Sequence, residues 1–330
     1  MQHWGHPSIE QTRIQRGTLE YAVRRLSLAD GRRWRFIGVG GAAPWVSRLA
    51  VHMRLDEAAA EGVEDGAVVF ICSATLGDGI AVPLEALPAP LRGGLPHDGW
   101  TAREVRWGRI WRHAAGLHVL YELPAPALDN PAWERAKLWT AVEPVYRRAM
   151  AEGGLVIHGG LIDCGGVGAV IAAPGGMGKT TCSRRLPPHW EALSDDEALI
   201  VRNAPCRYCA HPFPTWSHCV EEPGTRSWDV QRHVLLGGVF FLEQGDVDRV
   251  TPLAPSAAAL LLNRTSLADW GPLAWAWLPE QEAKAVRVAA FRSLCAIEQA
   301  VPCFVLRASL DGRFWEPMED ALARATARSA

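Results

Sequence analysis

Hydrophobic positions recur roughly every second residue over Tyr21-Ala22-Val23-Arg24-Arg25-Leu26-Ser27-Leu28 and crowd together again over Trp34-Arg35-Phe36-Ile37-Gly38-Val39. Asp30-Gly31 lies between them, a pair that favours the positive φ of a tight turn, so the pattern predicts a β-hairpin. From Ala42 to Leu55 the large residues Trp45, Leu49 and Met53 share one helical face. Ala67 to Cys72 reads as a short apolar strand. Leu76 to Trp100, rich in Gly and Pro, reads as loop, and residues 1–20 as a loose lead-in. Glu104 to Leu123 predicts two strands turning near Ala115-Gly116. Asn130-Pro131 starts a helix, because Asn can accept a first-turn N–H and Pro lacks one to leave unpaired. That helix should run to about Ala151 and stop at Gly153-Gly154.

The pattern then changes. Leu155-Val156-Ile157-His158 and Val167 to Ala173 read as strands, followed by a glycine-rich turn and a helix from Lys179 that Pro187-Pro188 cuts short near Leu186. A further strand surrounds an acidic pair within Glu191–Val201, and Gly237 to Leu242 is another. Pro255–Leu262, Glu280–Val301 and Met318–Arg328 read as helices, with a closing strand at Cys303–Leu306. Strands alternating with helices predict an α/β chain. The change in pattern falls near 125–150 and divides it into a smaller α+β domain over 1–125 and an α/β domain over 126–330.

Charge and composition narrow the picture. Across 330 residues, 34 Lys and Arg stand against 36 Asp and Glu, and 48% of residues are hydrophobic. This is a foldable composition with no global pull toward nucleic acid or an anionic membrane. No apolar run reaches the ~18–20 residues of a membrane span, and Met1-Gln2-His3-Trp4-Gly5-His6 lacks the basic and apolar regions of a signal peptide. The expected compartment is the cytoplasm, where eight cysteines read as reduced thiols and small hydrophobes.

Candidate chemistry centres on Ala173-Pro174-Gly175-Gly176-Met177-Gly178-Lys179-Thr180, which fits the P-loop pattern with Ala in place of the first Gly. A loop that wraps a triphosphate needs glycines so that backbone N–H groups can converge on the oxygens. Gly175, Gly176, Met177, Gly178, Lys179, Thr180 and Thr181 are the expected nucleotide contacts, Lys179 neutralising phosphate charge and Thr180 binding Mg²⁺ through its hydroxyl. Downstream, Ser194-Asp195-Asp196 offers two carboxylates, suited to holding a metal and taking a proton from an attacking hydroxyl. Upstream, His158 ends an apolar strand.

Taken together, His158-Gly159-Gly160-Leu161-Ile162-Asp163, the P-loop and Ser194-Asp195-Asp196 resemble the HPr kinase/phosphorylase family. The run Leu26 to Ile37 resembles a smaller relative, the SynChlorMet cassette protein ScmC, found beside enzymes that modify ribosomally made peptides. The resemblance implies a mixed-sheet P-loop fold related to phosphoenolpyruvate carboxykinases. It implies ATP and Mg²⁺ as cofactors and transfer of the γ-phosphoryl group to a Ser or Thr hydroxyl. Asp196 would be the proton acceptor, His158 would pack against it and tune it, Lys179 would hold charge, and Asp195 with Thr180 would hold the metal. The implied partner is a peptide or small protein, with self-association open; most of the 15 tryptophans read as core, and the remaining ones with residues 1–125 would form the peptide-recognition module. The family's metal-binding glutamate on a glycine-rich segment has no counterpart here, and Glu221, Glu222 and Glu243 are its stand-ins, so the reverse reaction is not expected. Two rivals stay open: a nucleotide-dependent module that presents a peptide without transferring phosphate, and a small-molecule kinase.

Two further features invite chemistry. Cys206, Cys209, His211, His218 and Cys219 have a zinc-like composition, although cysteines on a strand facing a core give the same pattern. Arg264 has the guanidinium fork suited to a phosphate or an acidic substrate.

Overall fold

A computed structural model describes residues 20–58, 65–72, 99–105, 107–113, 118–128, 130–221, 226–267 and 278–329. Within it the first hairpin forms as the pattern predicts: β1 (Tyr21–Ser27) and β2 (Arg33–Val39) pair antiparallel. Gly31 takes φ +85° at the turn, and Asp30 Oδ1 accepts the Arg32 N–H at 2.9 Å. The helix α1 (Ala43–Met53) buries Trp45, Leu49 and Met53. Two short strands and two hairpin strands follow, β3 (Asp56–Glu57), β4 (Gly66–Cys72), β5 (Trp100–Val105) and β6 (Gly108–His113), and then β7 (His118–Leu123). They complete a seven-stranded mixed sheet of order β3-β1-β2-β4-β7-β6-β5. The region that reads as two strands therefore holds three. The extra reversal falls beside Gly108, where a Cβ would lie 2.3 Å from the Glu122 carbonyl oxygen, so this glycine permits a close approach between β6 and β7. The lead-in, nearly all of the loop after Leu76 and the Ala115-Gly116 turn lie outside the described residues.

After α2 (Ala125–Leu128), Asn130 Oδ1 accepts the Ala132 N–H at 2.9 Å and opens a single 3₁₀ turn ahead of α3 (Glu134–Ala151). This helix lies between the two sheets. Pro144 has no N–H for the Thr140 carbonyl, and the buried Tyr121 hydroxyl of β7 donates to that carbonyl at 2.9 Å instead. Glu143 pairs with Arg112 of β6 at 2.8 Å. The Tyr121 bond implies a measurable loss: Tyr121→Phe leaves a buried carbonyl unpaired at almost no change in volume. It should cost roughly 1–3 kcal/mol in a urea titration, and an unchanged midpoint would show that the carbonyl is satisfied elsewhere.

The second sheet is also mixed. It contains β8 (Leu155–Cys164), β9 (Val167–Ala172), β10 (Glu191–Ser194), β11 (Glu197–Ala204), β12 (Arg207–Phe213), β13 (Val234–Gln244), β14 (Arg249–Pro252) and β15 (Cys303–Ala308). The main order is β10-β8-β11-β12-β13-β15-β14, with β9 paired to both β8 and β13. Val170 and Ala172 of β9 face one apolar cluster and Ala169 and Ile171 the other, as expected of a strand covered on both sides. The helices α4 (Lys179–Arg184), α5 (Trp216–Glu221), α6 (Pro255–Leu267), α7 (Glu280–Ala300) and α8 (Trp315–Ser329) are the further helices among the described residues. The chain is thus of mixed α/β class. Among the described residues no helix is long and apolar enough to cross a membrane.

Candidate active site

Glycine decides the shape of the site. The strand expected around the acidic pair is two strands, β10 and β11, which pair with successive parts of β8: Ser194 faces Leu161 and Glu197 faces His158. The bend Asp195-Asp196 therefore lies opposite Gly159-Gly160. The Gly159 N–H donates to the Asp196 carbonyl at 2.8 Å, and a Cβ on Gly159 would stand 2.9 Å from the Ile171 carbonyl oxygen. His158-Gly159-Gly160 is the stretch that lets an acidic bend approach the strand preceding the glycine-rich loop.

The loop itself runs from the end of β9 into α4. Gly176 and Gly178 take φ +78° and +103°, and a Cβ on Gly175, Gly176 or Gly178 would meet nothing within 4 Å. The backbone conformation requires two of these glycines, and all three leave an open cradle along the loop. Lys179 is only 7% exposed. Its Nζ donates to the Ala173 carbonyl at 2.8 Å and to the Pro174 carbonyl at 3.4 Å, and lies 2.8 Å from His158 Nε2. With Lys179 as an ammonium, which only donates, His158 Nε2 is the acceptor of that bond. Asp196 Oδ1 lies 3.5 Å from the same Nε2. Lys179, His158 and Asp196 thus converge.

Asp195 points elsewhere and is already held. The Thr215 hydroxyl donates to its Oδ1 at 2.7 Å, and Arg226 Nη1 lies 3.4 Å from its Oδ2. The segment carrying Arg226 is fixed to α1, with the Trp228 N–H donating to the His52 carbonyl at 2.8 Å and Arg54 Nε to Ser227 Oγ at 2.9 Å. Thr180 is half-buried and Thr181 exposed. Among the described residues no group of three or more His, Cys, Asp and Glu is placed to hold a metal by itself. Mg²⁺ commonly needs only one or two carboxylates beside substrate phosphates. The half-buried Thr180 hydroxyl, the Asp196 carboxylate and the open glycine cradle fit that requirement, whereas Asp195 would first have to leave Thr215 and Arg226.

Sequence reasoning passed over Glu197. It is buried at the start of β11, and the Tyr146 hydroxyl of α3 donates to its Oε1. Burial pushes its carboxyl up to about 8, the hydrogen bond from Tyr146 opposes the rise, and the nearby Asp196 charge adds to it. The only sequence signal was an acidic residue heading the apolar run Ala198-Leu199-Ile200-Val201.

The zinc-like residues are not gathered. Cys206 is exposed in the β11–β12 turn, Cys209 and His211 are buried on β12, and His218 and Cys219 ride on α5. His211 is committed at both nitrogens: Nε2 accepts the Ala29 N–H at 3.0 Å and Nδ1 donates to the Val230 carbonyl at 2.8 Å. Burial lowers its basicity to about 4 and pushes the Cys219 thiol up to about 12, against the thiolate a metal needs. His211 instead ties β12 to the first hairpin. Glu243 pairs with Arg307 at 3.2 Å, Glu221 is exposed at the end of α5, and Glu222 lies outside the described residues. Arg264 is exposed in the last turn of α6. Trp34, Trp45, Trp107, Trp190, Trp216 and Trp228 are buried in the core.

The family model of the SynChlorMet cassette protein ScmC matches residues 128–323, more than half of the chain. The match covers the glycine-rich loop and the acidic bend, and leaves out the Leu26–Ile37 run on which the sequence resembles that family. No curated protein matches the chain.

Proposed function

Since the chain belongs to the SynChlorMet cassette protein ScmC family, we propose that it is an ATP- and Mg²⁺-dependent kinase of HPr kinase-like P-loop architecture, acting on a Ser or Thr hydroxyl of a peptide or small protein in the biosynthesis of a modified peptide. The observation that carries this reading is the convergence of Lys179 Nζ, His158 Nε2 and Asp196 Oδ1 beside an open glycine cradle. A buried ammonium that donates to two loop carbonyls and an imidazole can exchange those partners for phosphate oxygens. Once Lys179 turns to phosphate, His158 Nε2 is released and its ring can hold the Asp196 carboxylate in place. Asp196 takes the proton of the acceptor hydroxyl as that oxygen bonds to the γ-phosphorus and the bond to the bridging oxygen of ADP breaks. Mg²⁺, held by Thr180 and the acidic bend, would offset phosphate charge. Arg226 competes with a metal for Asp195 and would give way to it. Residues 1–125 would recognise the peptide in the cytoplasm, and no nucleic-acid or membrane partner is needed.

The test is mass spectrometry of candidate peptides incubated with the full chain, Mg²⁺ and ATP. A phosphoryl mass gain on Ser or Thr is expected, and Asp196→Asn should slow transfer by roughly 10²–10⁴-fold while ATP still binds. ATP binding without a mass gain on any peptide would replace the kinase with a presenting module. Turnover of a free metabolite would replace the peptide acceptor.

A further inference from the structure

β9, β13 and β15 run parallel, so their carboxyl ends lie side by side, and the phosphate loop follows the first of them. In such sheets ligands bind in the crevice outside those ends. A cavity of about 840 Å³ lies there, within the ~300–1,000 Å³ range of small-molecule sites. Met177 of the loop forms one wall. Leu242, Gln244 and Asp246 at the end of β13, with Ser309 and Asp311 after β15, form the other.

The walls are tied together. Gln244 Nε2 donates to the Met177 carbonyl at 3.5 Å, and Arg185, just past α4, donates to the Ser309 carbonyl at 2.7 Å and to the Gly312 carbonyl. Two glycines allow the approach: a Cβ on Gly245 would stand 2.4 Å from Arg307 Cγ, and one on Gly312 would stand 1.9 Å from Asp248 Oδ2. The cavity is therefore built by fixed neighbours.

Its position relative to the chemistry is informative. Gly176, Gly178 and Thr181 line the cavity, whereas Lys179, His158 and Asp196 are not among its lining residues. Gly176 and Gly178 line the cavity and precede Lys179 in the loop, so a triphosphate laid along the loop from Lys179 leads toward this space. We propose that the cavity holds the nucleoside of the nucleotide, an inference that rests on the kinase reading above. Asp246 and Asp311 accept hydrogen bonds from the ribose 2′- and 3′-hydroxyls, the role acidic side chains play on ribose in dinucleotide sites. The base lies against Met177 and Leu242.

Calorimetry on the full chain with Mg²⁺ tests this, using ATP, 2′,3′-dideoxy-ATP and inorganic tripolyphosphate as three probes. ATP should bind most tightly and tripolyphosphate least. The double variant Asp246→Ala/Asp311→Ala, both sites being exposed, should weaken ATP by about tenfold or more, dideoxy-ATP much less and tripolyphosphate not at all. That pattern is a coupling between the carboxylates and the two hydroxyls. Equal affinity for ATP and tripolyphosphate in the unaltered chain would overturn the proposal, as would a variant that weakens all three probes alike or leaves ATP unchanged. If none of the probes binds, the kinase reading falls and takes the nucleoside site with it. If the expected pattern appears without phosphoryl transfer, the nucleoside site stands and only the kinase reading falls.

Discussion

On the proposed kinase reading, replacing Lys179 with Met should abolish phosphoryl transfer, by on the order of 10²–10³-fold or more, and weaken nucleotide binding while the protein stays folded. Met keeps the length of the buried stem and removes only the ammonium. What is lost in the resting protein is a donor to the Ala173 and Pro174 carbonyls and to His158 Nε2. Pro174 is exposed and His158 half-buried, so water can replace the donor there, whereas the buried Ala173 carbonyl loses a partner at a cost of roughly 1–3 kcal/mol. What would be lost with nucleotide bound, on that reading, is the cation that the loop places beside the acidic bend, so the developing charge of the transferred group would go unmatched. Circular dichroism should be unaltered, and steady-state transfer should fall to the background of the assay. Full activity in the Lys179→Met variant would remove the phosphate loop from the mechanism altogether.

Much of the second half was legible because its chemistry is local. A strand, a glycine-rich turn and a helix in sequence describe the form of the loop whatever surrounds them, and the Asp30-Gly31 hairpin is legible for the same reason. The elements that escaped depend on distant partners. Glu191–Val201 reads as one strand until its two halves pair with different stretches of β8, because nothing near Ser194 announces that Gly159-Gly160 lies opposite. Asp195 looks like a free metal ligand in sequence, since the Thr215 hydroxyl and Arg226 that hold it come from 20 and 31 positions away. His211 looks like a ligand because composition cannot reveal that the Ala29 N–H and the Val230 carbonyl occupy its two nitrogens. Glu197 looks like the polar end of a strand, and only α3, placed against it by the fold, makes it a buried acid.

That buried acid gives the second large effect. The Glu197 carboxyl is pushed up to about 8 in the folded protein from an ordinary value of 4.5. Between those two values the folded chain keeps a proton that the unfolded chain releases. Its stabilising contribution is therefore fully present below about pH 4.5 and is lost as pH rises through about 8. Glu197→Gln imitates the protonated acid, since its amide oxygen still accepts from Tyr146 and it carries no charge at any pH. The difference in stability between variant and parent should therefore grow in the variant's favour as pH rises from about 5 to 8, by on the order of a few kcal/mol. Taking the difference cancels groups common to both, among them His211, whose burial makes its own contribution disappear as pH falls from about 6.5 toward 4. Urea titrations at pH 5, 6.5 and 8 measure it. Parallel curves for the two proteins would mean that Glu197 is ionised throughout, and the Tyr146 hydroxyl would then be donating to a carboxylate rather than to the acid that anchors the bend.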